Sequence, residues 1–368
     1  MIQPDDQRWM ALALSLGKRG LGQTWPNPAV GCVIVKDGRL LARGWTQAGG
    51  RPHAEQHALS QLPIAAARGA TAYVTLEPCS HTGQTPPCAS ALIAAGVARV
   101  VVAACDPDPR VSGSGLTMLR EAGIEVATGV LEGQARHDQE GFFTRVTDGR
   151  PMVTLKLASS FDGRIATPTG ESQWITGPQA RLQVQALRAS HDAVMVGGST
   201  AREDMPSLTL RGMGARRQPV RLVVSAGLNI PTHGPLAEDD SGAPIWLLHG
   251  EAAPQTARGF WIARGAALLE VSEGTPGLDM SEALKALGQA GLTRVLCEGG
   301  GALAASLMAA DLVDQVVGFT AGVMLGADGL PSLGSLDYPA LADAPRFALV
   351  ETRRVGEDVM HSWRRFGS

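Results

Sequence analysis

The sequence predicts two successive α/β domains, and three observations carry that reading. Short apolar runs of strand length alternate with helical patterns along the whole chain. A turn-rich stretch without an apolar anchor, Thr147-Asp148-Gly149-Arg150-Pro151, interrupts that alternation. The length of 368 residues exceeds one average domain. The expected domains are therefore residues 1–147 and 151–368.

In the first domain, a helical pattern over 5–19 is stopped by Gly20 and Gly22. Two apolar runs over 30–45, joined by Asp37-Gly38, read as a β-hairpin. A helix from about 53 to 62 follows, then the β-rich run Thr71–Leu76 leading into Glu77-Pro78-Cys79. Helix 88–95, strand 98–104 and helical stretches near 113–122 and 132–146 complete the half. This order suits a three-layer α/β/α domain with its site where strands hand over to helices. The second half has strand candidates at 152–158, 192–197, 219–225, 245–249, 293–298 and 313–319. Helical patterns at 178–189, 279–290 and 302–309 interleave with them, so it is a second α/β domain and no repeat of the first.

Lys plus Arg total 32 against 35 for Asp plus Glu, a net charge of −3 with no long basic run, which disfavours nucleic acid as a partner. The N-terminus has no basic segment followed by an apolar core, and no stretch reaches eighteen apolar residues. A cytoplasmic protein without membrane contact is expected, as a homo-oligomer. Five cysteines, an odd number, argue against a disulfide framework and for metal or buried-thiol roles. Cys32, Cys105 and Cys297 lie in apolar runs and are expected in the core.

The remaining two cysteines carry the sharpest signal. His53-Ala54-Glu55 and Pro78-Cys79 through Pro87-Cys88 supply one imidazole and two thiols as zinc ligands, with Glu55 as a non-ligand acid/base. His53, Cys79 and Cys88 leave a fourth tetrahedral position for water, which zinc activates toward attack on an amidine-like ring carbon. Glu55 would move protons from that water to the ring and the departing ammonia. The two cysteines have eight residues between them, where the short nucleobase-deaminase signature has two. Rival readings are a metalloprotease built on His53 and His57, which would need Glu directly after the first His, and a closed structural zinc site completed by His57 or His81. Upstream, Pro26 and Pro28 hold Asn27 in an extended segment, where its amide could read a pyrimidine edge.

Two glycine-rich turns follow strands in the second half, Val196-Gly197-Gly198-Ser199-Thr200 and Cys297-Glu298-Gly299-Gly300-Gly301. Such turns let backbone amides approach phosphate, although neither is a dinucleotide fingerprint, and tight packing turns explain them as well. Arg188 and Arg211 offer forked donors suited to a phosphorylated sugar, with surface arginines as the alternative.

Taken together, Pro26-Asn27-Pro28 with Val30-Gly31-Cys32, Pro52-His53-Ala54-Glu55 and Glu77-Pro78-Cys79-Ser80-His81 through Thr85-Pro86-Pro87-Cys88 resemble the N-terminal half of the bifunctional riboflavin-biosynthesis deaminase/reductase family. Lys156-Leu157-Ala158, Asp162-Gly163, Ser172 through Thr176, Asp204 with Pro206, Leu208, Thr209 and Arg211, and Glu298-Gly299-Gly300 resemble its reductase half. The resemblance implies a cytidine-deaminase-like domain followed by a dihydrofolate-reductase-like domain, with zinc and NADPH as cofactors. It implies deamination of 2,5-diamino-6-ribosylamino-4(3H)-pyrimidinone 5′-phosphate, then reduction of the ribosyl chain to ribityl. By the same likeness His81 joins Asn27 as a substrate contact. Ser172, Arg188, Leu208, Arg211 and Glu298 would hold the ribose phosphate. Ala158, Trp174, Thr200, Asp204, Ser225 and the turn Gly300, Gly301, Ala302, Leu303, Ala304, Ala305 and Ser306 would line the coenzyme. Lys156 and Asp204 are the candidate proton donors for reduction. The chain departs from the family pattern at Trp25, where His is common, at Gln84, where a basic residue is common, and at Met205, which interrupts an Asp-Asp-Pro run. The alternative is a zinc deaminase of another pyrimidine or purine with a non-reductase second domain.

Overall fold

The structure is a computed structural model that describes residues 2–81, 86–109, 111–214, 216–274 and 277–366. It divides into two compact units, Met1–Gly149 and Arg150–Ser368. The helix Glu140–Asp148 runs up to that division, two residues beyond the end expected from the pattern.

The first unit is built on a five-stranded sheet in the order Arg39–Trp45, Gly31–Lys36, Thr71–Leu76, Arg99–Ala104, Glu125–Thr128. The first two strands form the antiparallel hairpin, with Asp37 and Gly38 both at positive φ as its turn requires. The last three strands run parallel. The fifth strand has no counterpart in the sequence reading, because Glu125-Val126-Ala127-Thr128 is too short and mixed to stand out.

Two close approaches establish a layer on each face. A Cβ on Gly31 would fall 1.8 Å from the carbonyl oxygen of Ala13, so helix Asp6–Gly17 sits directly on that strand. A Cβ on Gly44 would fall 2.2 Å from the carbonyl oxygen of Ala54, so helix Ala54–Leu59 sits equally close. Gly44 pairs with Cys32, the neighbour of Gly31, and successive strand residues point to opposite faces. The two helices therefore cover opposite faces, giving the expected three layers. Asp6 anchors the first helix from within: its carboxylate accepts both guanidinium arms of Arg99 at 2.8 and 2.9 Å and the Tyr73 hydroxyl at 3.1 Å.

The second unit carries a nine-stranded sheet ordered Ala267–Glu270, Ile245–His249, Val220–Val224, Ala193–Gly197, Arg294–Cys297, Met152–Ser160, Gln315–Ala321, Asp358–Arg365, Phe347–Val355. The first seven are parallel and the last two form an antiparallel edge hairpin. All six expected strands are present. Helix Gln255–Ala263, strand Ala267–Glu270 and the C-terminal hairpin were not anticipated; the hairpin's outer strand is exposed along most of its length, and its apolar start, residues 347–350, gives way to the charged run 351–354. From Ala193–Gly197 the chain moves outward to one side, and after Arg294–Cys297 it moves to the other. Those neighbouring strands thus flank the topological switch point, where parallel sheets place ligands at the carboxyl ends of their strands.

Candidate active sites

Each functional side chain of the first unit sits at an element end. His53 is the extended residue before helix Ala54–Leu59, which puts Glu55 in the first turn. Cys79 follows strand Thr71–Leu76, and Cys88 opens helix Cys88–Ala95. The candidate ligand atoms of His53, Cys79 and Cys88 lie within 4.8 Å of one another, the sole such grouping among the described residues. His53 Nδ1 is 3.7 Å from Cys79 Sγ and 3.3 Å from Cys88 Sγ. A tetrahedral zinc with ordinary Zn–N and Zn–S lengths separates such ligands by about 3.6 Å. The donor set therefore fits zinc without rearrangement, with three protein ligands and one position open.

The electrostatics match. Hydrogen bonding from the Cys88 thiol, from His53 and from the Cys88 backbone N–H at 3.3 Å holds Cys79 at about 4, as a thiolate, while its partner Cys88 is pushed up by that shared proton and by burial. Zinc takes both cysteines as thiolates, so a metal would replace the proton between them. Glu55 is 3 % exposed, and burial pushes its carboxyl up to about 7, with the Cys79 charge adding to the push and His53 opposing it. A carboxyl poised near neutrality can both accept and return a proton.

His53, Glu55 and Cys79 line a pocket of about 270 Å³ that also takes in Asn27 and His81. Gly50, at φ +83°, presses against the Asn27 amide so closely that a Cβ there would fall 2.0 Å from Nδ2, which fixes the amide in the wall. Pro26 and Pro28 line the same wall and Trp25 does not. Gln84 lies outside the described residues. The rival metal readings fail here. His57 turns away, its Nδ1 at 2.8 Å from Gln47 Nε2 and its ring edge-on to Trp45. His81 lines the pocket without joining the ligand group.

Several pocket residues escaped the sequence reading: Arg51, Glu77, Asp106, Asp108 and Arg145. Glu77 is a positioning residue, accepting backbone N–H groups of Gly113 and Gly115 at 3.0 Å and so tying the strand end to the start of helix Ser114–Glu121. Asp106 and Asp108 follow strand Arg99–Ala104, and the Asp-Pro-Asp-Pro run at a strand end was an available signal. Burial pushes Asp106 up to about 6. Of the cysteines expected in the core, Cys32 and Cys297 are buried but Cys105 is half-exposed, at the strand end beside this pocket.

In the second unit the glycine turns meet at the switch point. Gly197, Gly198 and Ser199 with Gly300, Ala302, Leu303 and Ser306 line a cleft of about 240 Å³. The first turn is itself the start of a short helix, Gly198–Glu203. A Cβ on Gly299 would lie 2.5 Å from Val196 Cα, so that glycine is required by the contact between two strand ends. Thr200 and Ser225 stand just behind the cleft, within 3.0 Å and 2.9 Å of where Cβ atoms of Gly300 and Gly198 would be. Gly301 packs on Gly334, while Ala304 and Ala305 are buried.

The other expected coenzyme residues are not among those lining this cleft. Ala158 packs with Ala180, Val317 and Phe319, Asp204 is the exposed C-cap of the short helix, and Trp174 is 68 % exposed with the Arg181 guanidinium 4.5 Å over its ring. Met205 follows at φ +40°. Among the expected substrate residues, Arg188 and Glu298 meet directly in a two-pronged ion pair at 2.6 and 2.9 Å. Arg188 also donates to the carbonyl of Thr209, next to the buried Leu208. The charge of Glu298 reaches Lys156, whose ammonium burial pulls down. Arg211 is exposed on the same loop, its backbone N–H held by Gln185, and Ser172 is half-buried in the loop before helix Pro178–Ala189.

Comparison with known proteins assigns both units. Residues 3–104 match the cytidine and deoxycytidylate deaminase zinc-binding region, and residues 151–361 match the RibD C-terminal domain. The chain is 43 % identical to riboflavin biosynthesis protein RibD of Escherichia coli across 96 % of this chain and 98 % of that one. It is 38 % identical to the Aquifex aeolicus protein of the same description over the full length of both. A solved structure of Acinetobacter baumannii RibD is similar at a TM-score of 0.88 and 37 % identity, covering 98 % of this chain and 99 % of the other. A Thermotoga maritima structure described as a diaminohydroxyphosphoribosylaminopyrimidine deaminase/5-amino-6-(5-phosphoribosylamino)uracil reductase is similar at a TM-score of 0.84 and 34 % identity, with 98 % of each chain covered. The match over residues 151–361 sets aside a non-reductase second domain. Zinc-binding deaminase in its N-terminal unit and nicotinamide-dependent reductase in its C-terminal unit, the chain belongs to the RibD family of bifunctional riboflavin-biosynthesis enzymes.

Proposed function

We propose that the first unit removes the 2-amino group of 2,5-diamino-6-ribosylamino-4(3H)-pyrimidinone 5′-phosphate and that the second reduces the ribosyl chain of the product with NADPH. The observation that carries the first step is the grouping of His53 Nδ1, Cys79 Sγ and Cys88 Sγ beside the enclosed carboxyl of Glu55. Zinc held by those three residues supplies Lewis-acid activation of water near neutral pH. Glu55 would accept one proton from the attacking water and pass it to the ring nitrogen, then take the remaining hydroxyl proton and deliver it to the amino group, which leaves as ammonia as the carbonyl forms. Asn27 and His81 orient the pyrimidine.

For reduction, the coenzyme supplies hydride, and the protein's part is to bind, align and exclude water. The 300–306 turn, with Thr200 and Ser225 behind it, receives the coenzyme at the switch point, and Ala158, Trp174 and Asp204 complete its contacts. Arg188, Glu298, Ser172, Leu208 and Arg211 position the ribose phosphate. Lys156 and Asp204 are the proton-donor candidates, and the burial that pulls down the Lys156 pKa favours Lys156. Among the described residues no helix is long and apolar enough to cross a membrane. We place the enzyme in the cytoplasm as a homo-oligomer, which light scattering on purified protein would test.

The decisive experiment supplies the diamino substrate with and without NADPH and weighs the products. Ammonia release without coenzyme, followed by a gain of two hydrogens when NADPH but not NADH is added, is the expected result. A two-hydrogen gain without prior deamination would overturn the order of steps. Replacing Arg211 should weaken reduction and spare deamination, and loss of both activities would count against separate sites.

A further inference from the structure

The deaminase pocket has a marked division of charge. Its carboxylates are Glu55, Glu77, Asp106 and Asp108, all buried. Against them the described lining residues include two permanent cations, Arg51 and Arg145, both half-exposed. Arg51 comes from the segment leading into the zinc-ligand helix, and its positive charge reaches His53. Arg145 comes from a separate element, the helix Glu140–Asp148, and lines the pocket beside Phe142 and Val146.

A substrate with one uncharged heterocycle and one dianionic end can occupy such a pocket in a single sense. Its ring must reach Glu55 and the ligand group, while the buried carboxylates of Glu77, Asp106 and Asp108 disfavour its phosphate in the interior. The phosphate must then lie where the guanidinium groups are, and arginine offers the two-pronged donor geometry that phosphate oxygens accept. We propose that Arg51 and Arg145 form the phosphate subsite of the deaminase and set its preference for a 5′-phosphorylated nucleotide over the free nucleoside. The proposal rests on the phosphorylated-pyrimidine reading above and extends it to two residues outside the zinc motif.

The test measures kcat/KM of full-length, zinc-loaded enzyme for ammonia release from the 5′-phosphorylated diamino substrate and from the same compound after phosphatase treatment. Wild type should prefer the phosphorylated form. In Arg51→Ala and in Arg145→Ala that preference ratio should fall by about ten- to a hundredfold, the effect of losing a charge-assisted contact to phosphate. Arg51→Lys and Arg145→Lys should recover part of it, and inorganic phosphate should inhibit wild type more strongly than either alanine variant. Zinc content and the reductase rate of each preparation report whether it is folded; for a variant that is not, the lysine replacement alone is compared, and an undiminished ratio there counts against the subsite. If wild type prefers the phosphorylated substrate and both alanine variants keep that preference, the subsite is elsewhere and the two-step reading stands. If wild type does not distinguish the two substrates, the phosphorylated-substrate reading itself falls.

Discussion

The two catalytic units solve the problem of preorganisation in different ways. In the first, chemistry depends on side-chain atoms held a few ångströms apart: three ligand atoms within 4.8 Å and one enclosed carboxyl, with His53 and Glu55 at the start of a helix that the close approach of Gly44 to Ala54 clamps to the sheet. In the second, the cleft at the switch point is lined by Gly197, Gly198 and Gly300 and by small and apolar side chains, Val224, Leu278, Met280 and Leu303 among them, and the charged residues form a buried set of their own around Arg188 and Glu298. Polar, metal-ligating side chains define one site, and glycines packed among apolar side chains define the other. Substitutions should therefore fail in different currencies, rate in the first unit and packing in the second.

The largest expected effect is at Glu55. Glu55→Gln keeps the volume and removes the acid/base, so deamination should fall by about 10²- to 10⁴-fold. Zinc content by atomic absorption and the rate of reduction of supplied deaminated product should match wild type. Deamination at the wild-type rate would remove Glu55 from the mechanism.

Next in size is the buried ion pair of the second unit. Glu298→Ala strands the buried guanidinium of Arg188, with the half-buried Lys156 nearby, without its counter-ion, at a cost of about 3–5 kcal/mol. Chemical denaturation should show the C-terminal unit weakened, with reduction lost and ammonia release retained. If the variant is as stable as wild type, the pair is dispensable and the contrast between the units weakens.

A gentler probe of backbone approach is Gly299→Ala. The new Cβ would meet Val196 Cα and Gly197 N at 2.5 and 2.7 Å, both main-chain atoms that cannot swing aside. Destabilisation of about 3 kcal/mol is expected, with a raised KM for the coenzyme because the neighbouring Gly300 lines its cleft. Gly259→Ala, in helix Gln255–Ala263 with nothing within 4 Å, should be neutral or slightly stabilising and controls for the loss of a glycine as such.

This difference also explains what was legible in the sequence. His53, Glu55, Cys79 and Cys88 could be read because zinc chemistry demands rare residue types at restricted spacings. The glycine turns could be seen but not interpreted, since a glycine needed to seat a strand looks the same as one that admits a ligand; Gly299 is the first kind and Gly300 lines the cleft. Arg145 was invisible because it joins the pocket through a helix 57 residues beyond Cys88, the last of the metal motif, with no local pattern. For Arg188 the sequence suggests a forked donor to a phosphorylated sugar or else a surface arginine, whereas the fold turns it onto Glu298, a pairing across 110 positions that periodicity cannot report. Strands with continuous apolar runs were found and the exposed C-terminal hairpin was not, because period and hydrophobicity reveal burial and say little about pairing at a sheet edge.

The smallest effect compares the units by pH. His191 in the second unit is 3 % exposed and kept neutral, its Nδ1–H donating to the Leu187 carbonyl at 2.7 Å and its Nε2 accepting from Thr154 Oγ1 at 2.9 Å. Burial first, and the Arg294 charge second, hold its pKa down at about 3. The unfolded chain, with an ordinary value of 6.5, binds a proton that the native state refuses. His191 thus contributes stability that is complete above pH 6.5 and is lost as pH falls toward 3, amounting to about 2 kcal/mol by pH 5. Asp106 in the first unit has the opposite sign. Raised by burial to about 6 from 3.8, it contributes stability present below pH 3.8 and lost as pH rises through 6. Acidification from pH 7 to 5 should therefore weaken the second unit and strengthen the first, as hydrogen exchange resolved by peptide would report. His191→Gln should flatten the first trend and Asp106→Asn the second. Parallel trends in both units, unchanged by either substitution, would show that other groups govern acid stability.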